Sequence, residues 1–411
     1  MRIERNTYLQ KLIDREGNGM VKVVTGVRRC GKSYLLFDLF RTSLVRSGVP
    51  EDHIISVQLD DRKNKALRNP DACDEYIRAR IGQGRHYILL DEVQLMDEFE
   101  DVLNGFLHIP NVDVYVTGSN SRFLSTDVIT EFRGRGDEIR VHPLTFAEYF
   151  SAVGGDWDDA WNDYVTYGGM PYTTSLEDEL DKASYLQRLF RETYLRDIVE
   201  RNAVRHEAEL EDLTNILASS IGSLTNPDKL SRSFGSVKAT KLSAPTIKRY
   251  VQHLEDAFLV NEAKRYDVKG RRYISTPLKY YFEDVGIRNA VLDFRQQEET
   301  HLMENVIYNE LRARGYAVDV GVVEVTEGGM RKRVEIDFVA NAGSKRYYVQ
   351  SAFALPDEEK RAREVRPLRA VPDSFKKIVV VGGSSRVSRD DYGVVTMGIK
   401  QFLLDEESLN R

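Results

Sequence analysis

The stretch GVRRCGKS, Gly26 to Ser33, constrains the folding of this 411-residue chain more than any other. It is preceded by KVVT, which reads as a buried strand, and followed by SYLLFDLFRTSL, whose apolar spacing reads as an amphipathic helix. Gly26 and Gly31 let the backbone turn tightly enough for successive N–H groups to face one anion, and the next helix adds its positive dipole end. The G-x-x-x-x-G-K-[ST] spacing between strand and helix predicts a phosphate-binding loop in a parallel α/β sheet. Gly26, Val27, Arg28, Arg29, Cys30, Gly31, Lys32, Ser33 and Tyr34 are the expected nucleotide-lining residues. Lys32 would neutralise β- and γ-phosphate charge and Ser33 would ligate Mg²⁺.

A second signal lies in RHYILLDEVQLM, where four apolar residues precede Asp91 and Glu92. This is the pattern of a buried parallel strand whose acidic pair emerges at the C-terminal end, where open α/β sheets bind ligands. Asp91 would hold Mg²⁺ through water, and Glu92 would polarise the water attacking the γ-phosphate. A third strand, VDVYVTG, runs into Ser119, Asn120 and Ser121, of which Asn120 is the expected group for orienting that water or sensing the γ-phosphate. Arg122 stands where a Gly-x-Ser-x-Gly nucleophile elbow needs its last glycine, so that chemistry is excluded. Arg133 and Arg135 come before a further strand. Either they are solvated or ion-paired, or one reaches a nucleotide held by a neighbouring subunit, where a planar guanidinium suits phosphate charge.

The order of these parts resembles a family. The loop at 26–33, LLDE at 89–92, TGSNS at 117–121 and FRGRGDEIRVHPLTFAEY at 132–149 resemble an AAA+ ATPase of the archaeal-ATPase type. The resemblance covers essentially the whole chain, because YGGMP at 167–171 and the later segments resemble prokaryotic ATP-binding proteins with a C-terminal domain of unknown function. It implies an ASCE-type P-loop core, ATP with Mg²⁺, and homo-oligomeric assembly, a hexameric ring among the forms. It gives Lys32, Ser33, Asp91 and Glu92 the Walker roles, Asn120 the sensor role, and Arg133 or Arg135 the arginine finger.

Composition narrows what else the chain can do. Apolar runs such as YILL and IVVV are too short to span a bilayer, and MRIERNTYLQ lacks the apolar core of a secretory signal, so a cytoplasmic protein without a membrane segment is expected. Two cysteines, Cys30 and Cys73, make neither a disulfide framework nor a paired metal site, and seven scattered histidines form no close ligand pair. A net charge of −6 means that any nucleic-acid contact is local.

The remaining sequence suggests an α/β protein of four parts: an AAA+ core at 1–150, a helical lid at 151–205, a winged helix at 206–299 and a nuclease-like α/β domain at 300–411. In the lid, Arg188, Arg191 and Arg196 are read as solvated rather than phosphate-binding. Residues 235–272 carry nine Lys or Arg against four acids, on helices followed by an alternating stretch with a glycine turn. Lys248 and Arg249 on the helix and Lys269, Arg271 and Arg272 on the wing would meet DNA phosphates, unless the module docks a protein. In the last part, a helix with Glu304 and strands with Asp337 and Gln350 resemble the restriction-endonuclease-like fold. Ser351 and Ala352 follow Gln350 where an active site wants any residue and then lysine, so a degenerate scaffold is expected, with Glu335 or Lys345, near in sequence, as the displaced ligand or lysine of the alternative. The functional expectation is an ATP hydrolase coupled to DNA. A nucleotide-dependent switch acting on a protein partner and an ATP-gated nuclease are the alternatives.

Overall fold

Four largely apolar stretches and the polar stretch GDEIR become one sheet: β1 (Val21–Thr25), β2 (Ile54–Gln58), β3 (His86–Asp91), β4 (Val112–Thr117) and β5 (Gly136–Arg140). The order is β2-β3-β4-β1-β5, and every neighbouring pair is parallel. β1 and β3 are buried at every position, as strands covered on both faces must be. This parallel α/β arrangement is the one expected of a core that carries a phosphate-binding loop after its first strand. The computed structural model describes residues 3–118, 134–238, 242–327, 329–383 and 385–411. By contact the chain divides into two units, Met1–Pro143 and Leu144–Arg411.

In the first unit the helix after the glycine loop runs through Lys32–Tyr34, Leu35–Phe40 and Arg41–Arg46, with its middle turn wound as a π-helix. Leu35, Leu36, Leu39, Phe40 and Leu44 form its buried stripe. The strand order puts β4 between β1 and β3, so the C-terminal ends of those three strands stand side by side. A lysine in a fully buried strand needs a partner, and Lys22 of β1 finds one in Asp113 of β4, with the Tyr115 ring 4.7 Å from its ammonium. Burial lowers the Lys22 pKa, and the Asp113 charge opposes that shift.

The second unit begins with helices at Phe146–Val153 and Trp157–Tyr167 and a long helical run through Glu179–Arg188, Leu189–Leu195 and Arg196–Asn202. The YGGMP stretch follows the second of these helices, and its glycines are required by close packing. A Cβ at Gly168 would overlap the Asp284 carboxylate, and one at Gly169 would overlap the Leu144 carbonyl. Asp284 accepts the Gly169 N–H at 2.7 Å and the Ile287 N–H at 2.9 Å. Burial pushes its carboxyl up to about 6.

Three further helices, Glu207–Ser219, Pro227–Lys238 and Ala244–Asp256, lead into an antiparallel hairpin of β6 (Val260–Asp267) and β7 (Arg272–Phe282). Ser243 caps the third helix, its Oγ accepting the Thr246 N–H at 3.3 Å, with Pro245 in the first turn. The hairpin is not isolated. β6 pairs in parallel with β8 (Ala317–Glu327) through Arg265 and Val320, Tyr266 and Gly321, and Asp267 and Val322. With β9 (Met330–Ala342), β10 (Lys345–Ala352), β11 (Lys376–Val381), β12 (Ser388–Arg389) and β13 (Val395–Gly398) it completes an eight-stranded sheet in the order β12-β13-β11-β10-β9-β8-β6-β7. Residues on both sides of position 300 thus build one sheet.

The Lys22–Asp113 pair carries a stability prediction. Asp113→Ala strands an ammonium inside the first unit and should cost about 3–5 kcal/mol, whereas Lys22→Met combined with Asp113→Leu should restore most of that loss. Denaturant titration of the three proteins measures both effects, and an undiminished midpoint for Asp113→Ala would contradict the pairing.

Candidate nucleotide site

The loop from Gly26 to Ser33 leaves β1 with a backbone only certain residues tolerate. Gly26 has φ +137°, and a Cβ there would overlap the carbonyl oxygen of Val141, just beyond β5. Gly31 caps the following helix at φ +99°, and Arg29 also takes a positive φ of +63°. Cys30 contributes backbone to the loop, but its side chain turns inward, Sγ donating to the Val141 carbonyl at 3.4 Å. From behind, Arg5 donates one guanidinium nitrogen to the Cys30 carbonyl at 3.1 Å and the other to the His142 carbonyl at 2.8 Å. The Arg5 guanidinium also lies over the Tyr8 ring, 4.6 Å from its centroid. The chain start and the segment after β5 are therefore both fastened to the loop.

Lys32 is buried and donates to the carbonyls of Gly26 at 3.0 Å and Val27 at 3.1 Å. Two of its three N–H donors serve the loop, leaving one for an anion. Ser33 Oγ donates to Asp91 Oδ1 at 3.0 Å. The same oxygen accepts the hydroxyl of Thr117, at the end of β4, and the Thr117 oxygen in turn accepts the Glu92 N–H at 3.1 Å. Glu92 has φ +52°, just past the end of β3, and its carboxylate accepts a hydrogen bond from the Gln94 side chain. Burial raises the pKa of Asp91, the charges of Glu92 and Asp60 push the same way, and the Thr117 and Ser33 hydroxyls pull it back. The C-terminal ends of three adjacent strands thus gather two hydroxyls, two carboxylates and an ammonium.

Other expected residues fall elsewhere. Ser119, Asn120, Ser121 and Arg133 lie outside the described residues. Arg135 is exposed and immediately precedes Gly136, which pairs with Val21 at the start of β1, so it stands at the sheet end opposite its own loop. In the second unit, Arg188 is exposed, Arg191 lies 3.6 Å from Asp293, and Arg196 bridges Glu200 at 2.7 Å. Lys248, Arg249, Lys269, Arg271 and Arg272 are all exposed. Asp337 and Gln350 meet across β9 and β10, the Asp337 N–H donating to Gln350 Oε1 at 3.3 Å, with Glu304 beside Asp337.

An AAA-domain family model matches residues 18–150, and a domain of unknown function, DUF8612, matches residues 158–298. An uncharacterized protein of Haemophilus influenzae is 32% identical over 92% of this chain and 93% of its own length. The chain belongs to the same family as that protein, and its residues 18–150 form an AAA domain. Uncharacterized protein MJ1544 of Methanocaldococcus jannaschii is 26% identical over 84% of this chain and 77% of its own. Among solved structures, the Aeropyrum pernix ORC1 protein in complex with DNA aligns over 71% of this chain and 92% of its own, at 12% identity and a TM-score of 0.29. A DNA polymerase III gamma subunit-related protein of Thermotoga maritima aligns over 61% and 99%, at 14% identity and a TM-score of 0.28. Likeness at that level says nothing about function.

For this family member, Thr117, Gln94 and Arg5 are the site residues that sequence reasoning missed. Thr117 sits inside the quoted TGSNS, three residues before the asparagine chosen as sensor. Two substitutions probe the geometry. Gly26→Ala must displace the loop from Val141, and nucleotide affinity should fall by at least about tenfold, because the cradle of N–H groups depends on that turn. Thr117→Val removes the hydroxyl linking Asp91 to the Glu92 backbone. Turnover should fall while nucleotide affinity changes little, a split that fluorescent-nucleotide titration beside a phosphate-release assay reads directly.

Proposed function

We propose that the chain is a Mg²⁺-dependent ATPase that couples nucleotide turnover to DNA. The observation that carries the ATPase reading is the hydrogen-bonded chain Ser33–Asp91–Thr117–Glu92 beside Lys32, at the C-terminal ends of adjacent parallel strands. The Ser33 hydroxyl and Asp91 carboxylate, 3.0 Å apart, are hard oxygen donors of the kind Mg²⁺ takes along with waters and phosphate oxygens, so the residues fit that ion. Bound there, Mg²⁺ would supply charge neutralisation across the β- and γ-phosphates.

The chain's own groups would do the rest. Loop N–H groups and the Lys32 ammonium hold the phosphates. Glu92 takes a proton from water as the water oxygen bonds to the γ-phosphorus. The bond from that phosphorus to the β–γ bridging oxygen breaks, and ADP leaves with Lys32 balancing its new charge. Thr117 fixes the Glu92 backbone and Gln94 restrains its carboxylate, so the base is aimed before substrate arrives. In a homo-oligomer, Arg133 or Arg135 would reach a neighbour's nucleotide. The exposed position of Arg135, far from its own loop, supports a role in trans.

The DNA reading rests on the second unit. Three helices followed by a hairpin have the order of a winged helix, with Lys248 and Arg249 exposed on the third helix and Lys269, Arg271 and Arg272 at the hairpin turn. Such a cationic set would contact phosphates without reading sequence, and its affinity would fall with salt. Residues 300–411 supply the sheet that holds the hairpin, which supports a scaffold role.

Steady-state ATPase rates with and without single-stranded, duplex and branched DNA test both halves. Lys32→Ala and Glu92→Gln should each lower turnover by about a hundredfold or more, with Glu92→Gln still binding nucleotide. Replacing Lys269, Arg271 and Arg272 with Glu should abolish DNA stimulation and spare the basal rate. A Lys32-dependent rate indifferent to every DNA would sink the coupling and leave a nucleotide switch whose helices dock a protein.

A further inference from the structure

The buried interior of the second unit holds an acidic pair with an unexpected neighbour. Glu304, on the helix Glu299–Ala313, and Asp337, on β9, face each other across a lysine from the hairpin. Lys279 of β7 places its Nζ 3.0 Å from Glu304 Oε1 and 3.7 Å from Asp337 Oδ1. Two residues along the same strand, hence on the same face, Tyr281 donates its hydroxyl to that Glu304 oxygen at 2.6 Å. The other Asp337 oxygen accepts the Ser351 N–H at 2.9 Å. Gln350 is engaged at both ends, its oxygen by the Asp337 N–H and its nitrogen by Glu364 at 3.1 Å.

Glu304 Oε1, both Asp337 oxygens and the Gln350 oxygen are thus each turned to a partner within the protein. The charges around the cluster are also matched. Glu364 pairs with Lys360 at 2.7 Å and Glu335 with Arg265 at 3.3 Å, leaving Glu304, Asp337 and Lys279 as the inner set. Two carboxylates alone are a poor metal site, and among the described residues no group of three His, Cys, Asp or Glu is placed to hold a metal. The lysine wanted two positions after Gln350 is present in space, but it arrives from another strand, and its ammonium lies between the two acids.

We propose that Glu304 and Asp337 form a cation site whose permanent occupant is the Lys279 ammonium. The lysine excludes divalent metal from the centre of this fold and fastens the β6–β7 hairpin to the helix and sheet behind it. Burial works against the ammonium, yet the charges of Glu304, Asp337 and Glu335 outweigh it and raise the Lys279 pKa above its usual range. Deleting that charge leaves two buried carboxylates without their cation, beside the Gln350 amide oxygen, and these are the donor class of a hard divalent ion. The inference is independent of ATP hydrolysis.

The test uses full-length protein without nucleotide, titrated with MnCl₂ while free Mn²⁺ is followed by electron paramagnetic resonance. Wild type should show no Mn²⁺ binding that depends on Asp337, and Lys279→Arg should match it. Lys279→Met should bind one ion more than wild type, at least about tenfold more tightly than Lys279→Met with Asp337→Asn, because a hard ion needs that carboxylate. Folding of each variant is checked by circular dichroism. Wild-type Mn²⁺ binding, or Mn²⁺-dependent nicking of plasmid DNA, that disappears in Asp337→Asn overturns the proposal. So does a folded Lys279→Met that gains no ion. If Lys279→Met does not fold, the wild-type comparison decides: Asp337-dependent binding overturns the proposal, and its absence supports it.

Discussion

A buried aspartate at the end of a strand organises the first unit. Asp91 is almost wholly removed from water, and a carboxylate there must be hydrogen-bonded or paired. The two hydroxyls that reach it come from the helix after β1 and from the end of β4. They can do so only because β4 lies between β1 and β3 in a parallel sheet, with all three strands ending on the same side. That order in turn demands crossover segments long enough to return the chain, and these segments bury the apolar faces of the strands.

The glycine loop depends equally on parts of the chain far from it in sequence. Its entry, Gly26, presses on Val141 beyond β5, and its middle, Cys30, is tied to Arg5 near the chain start. Arg5 reaches across to His142, so one guanidinium joins the loop, the initial segment and the end of the edge strand. A loop that must present several N–H groups to one anion gains from such restraint, because a preorganised cradle loses less entropy on binding.

Much of this was legible in the sequence because the chemistry sits on consecutive residues. Gly26, Gly31, Lys32 and Ser33 occupy one loop and Asp91 with Glu92 one strand end, so spacing and flanking periodicity were sufficient. Thr117 escaped notice for the opposite reason: a threonine closing a strand is common, and only the neighbouring strand reveals what its hydroxyl meets. Arg5 gave no signal, since its two acceptors are carbonyls, which any sequence supplies. Helix and strand order brought Glu304, Asp337 and Gln350 into view together. Lys279 was hidden because it precedes Glu304 by 25 residues, in a hairpin read for its exposed charges. That hairpin's pairing with β8 was equally invisible, since alternation marks a strand without naming its neighbour.

The chain solves the burial of carboxylates in two opposite ways. Asp91 is satisfied by neutral hydroxyls, which stabilise it without cancelling its charge, so the oxygen remains attractive to a cation that arrives with phosphate. Glu304 and Asp337 share one ammonium, with a phenol on the Glu304 oxygen, so the fold itself supplies a countercharge between the two acids. The first solution leaves the Asp91 charge uncancelled, and burial raises its pKa. In the second Lys279 is held charged by its neighbours, while burial and the Glu304 charge push the Asp337 carboxyl up. Two acidic clusters of similar depth therefore differ in kind: Asp91 meets neutral partners within the fold, whereas Glu304 meets a charged one.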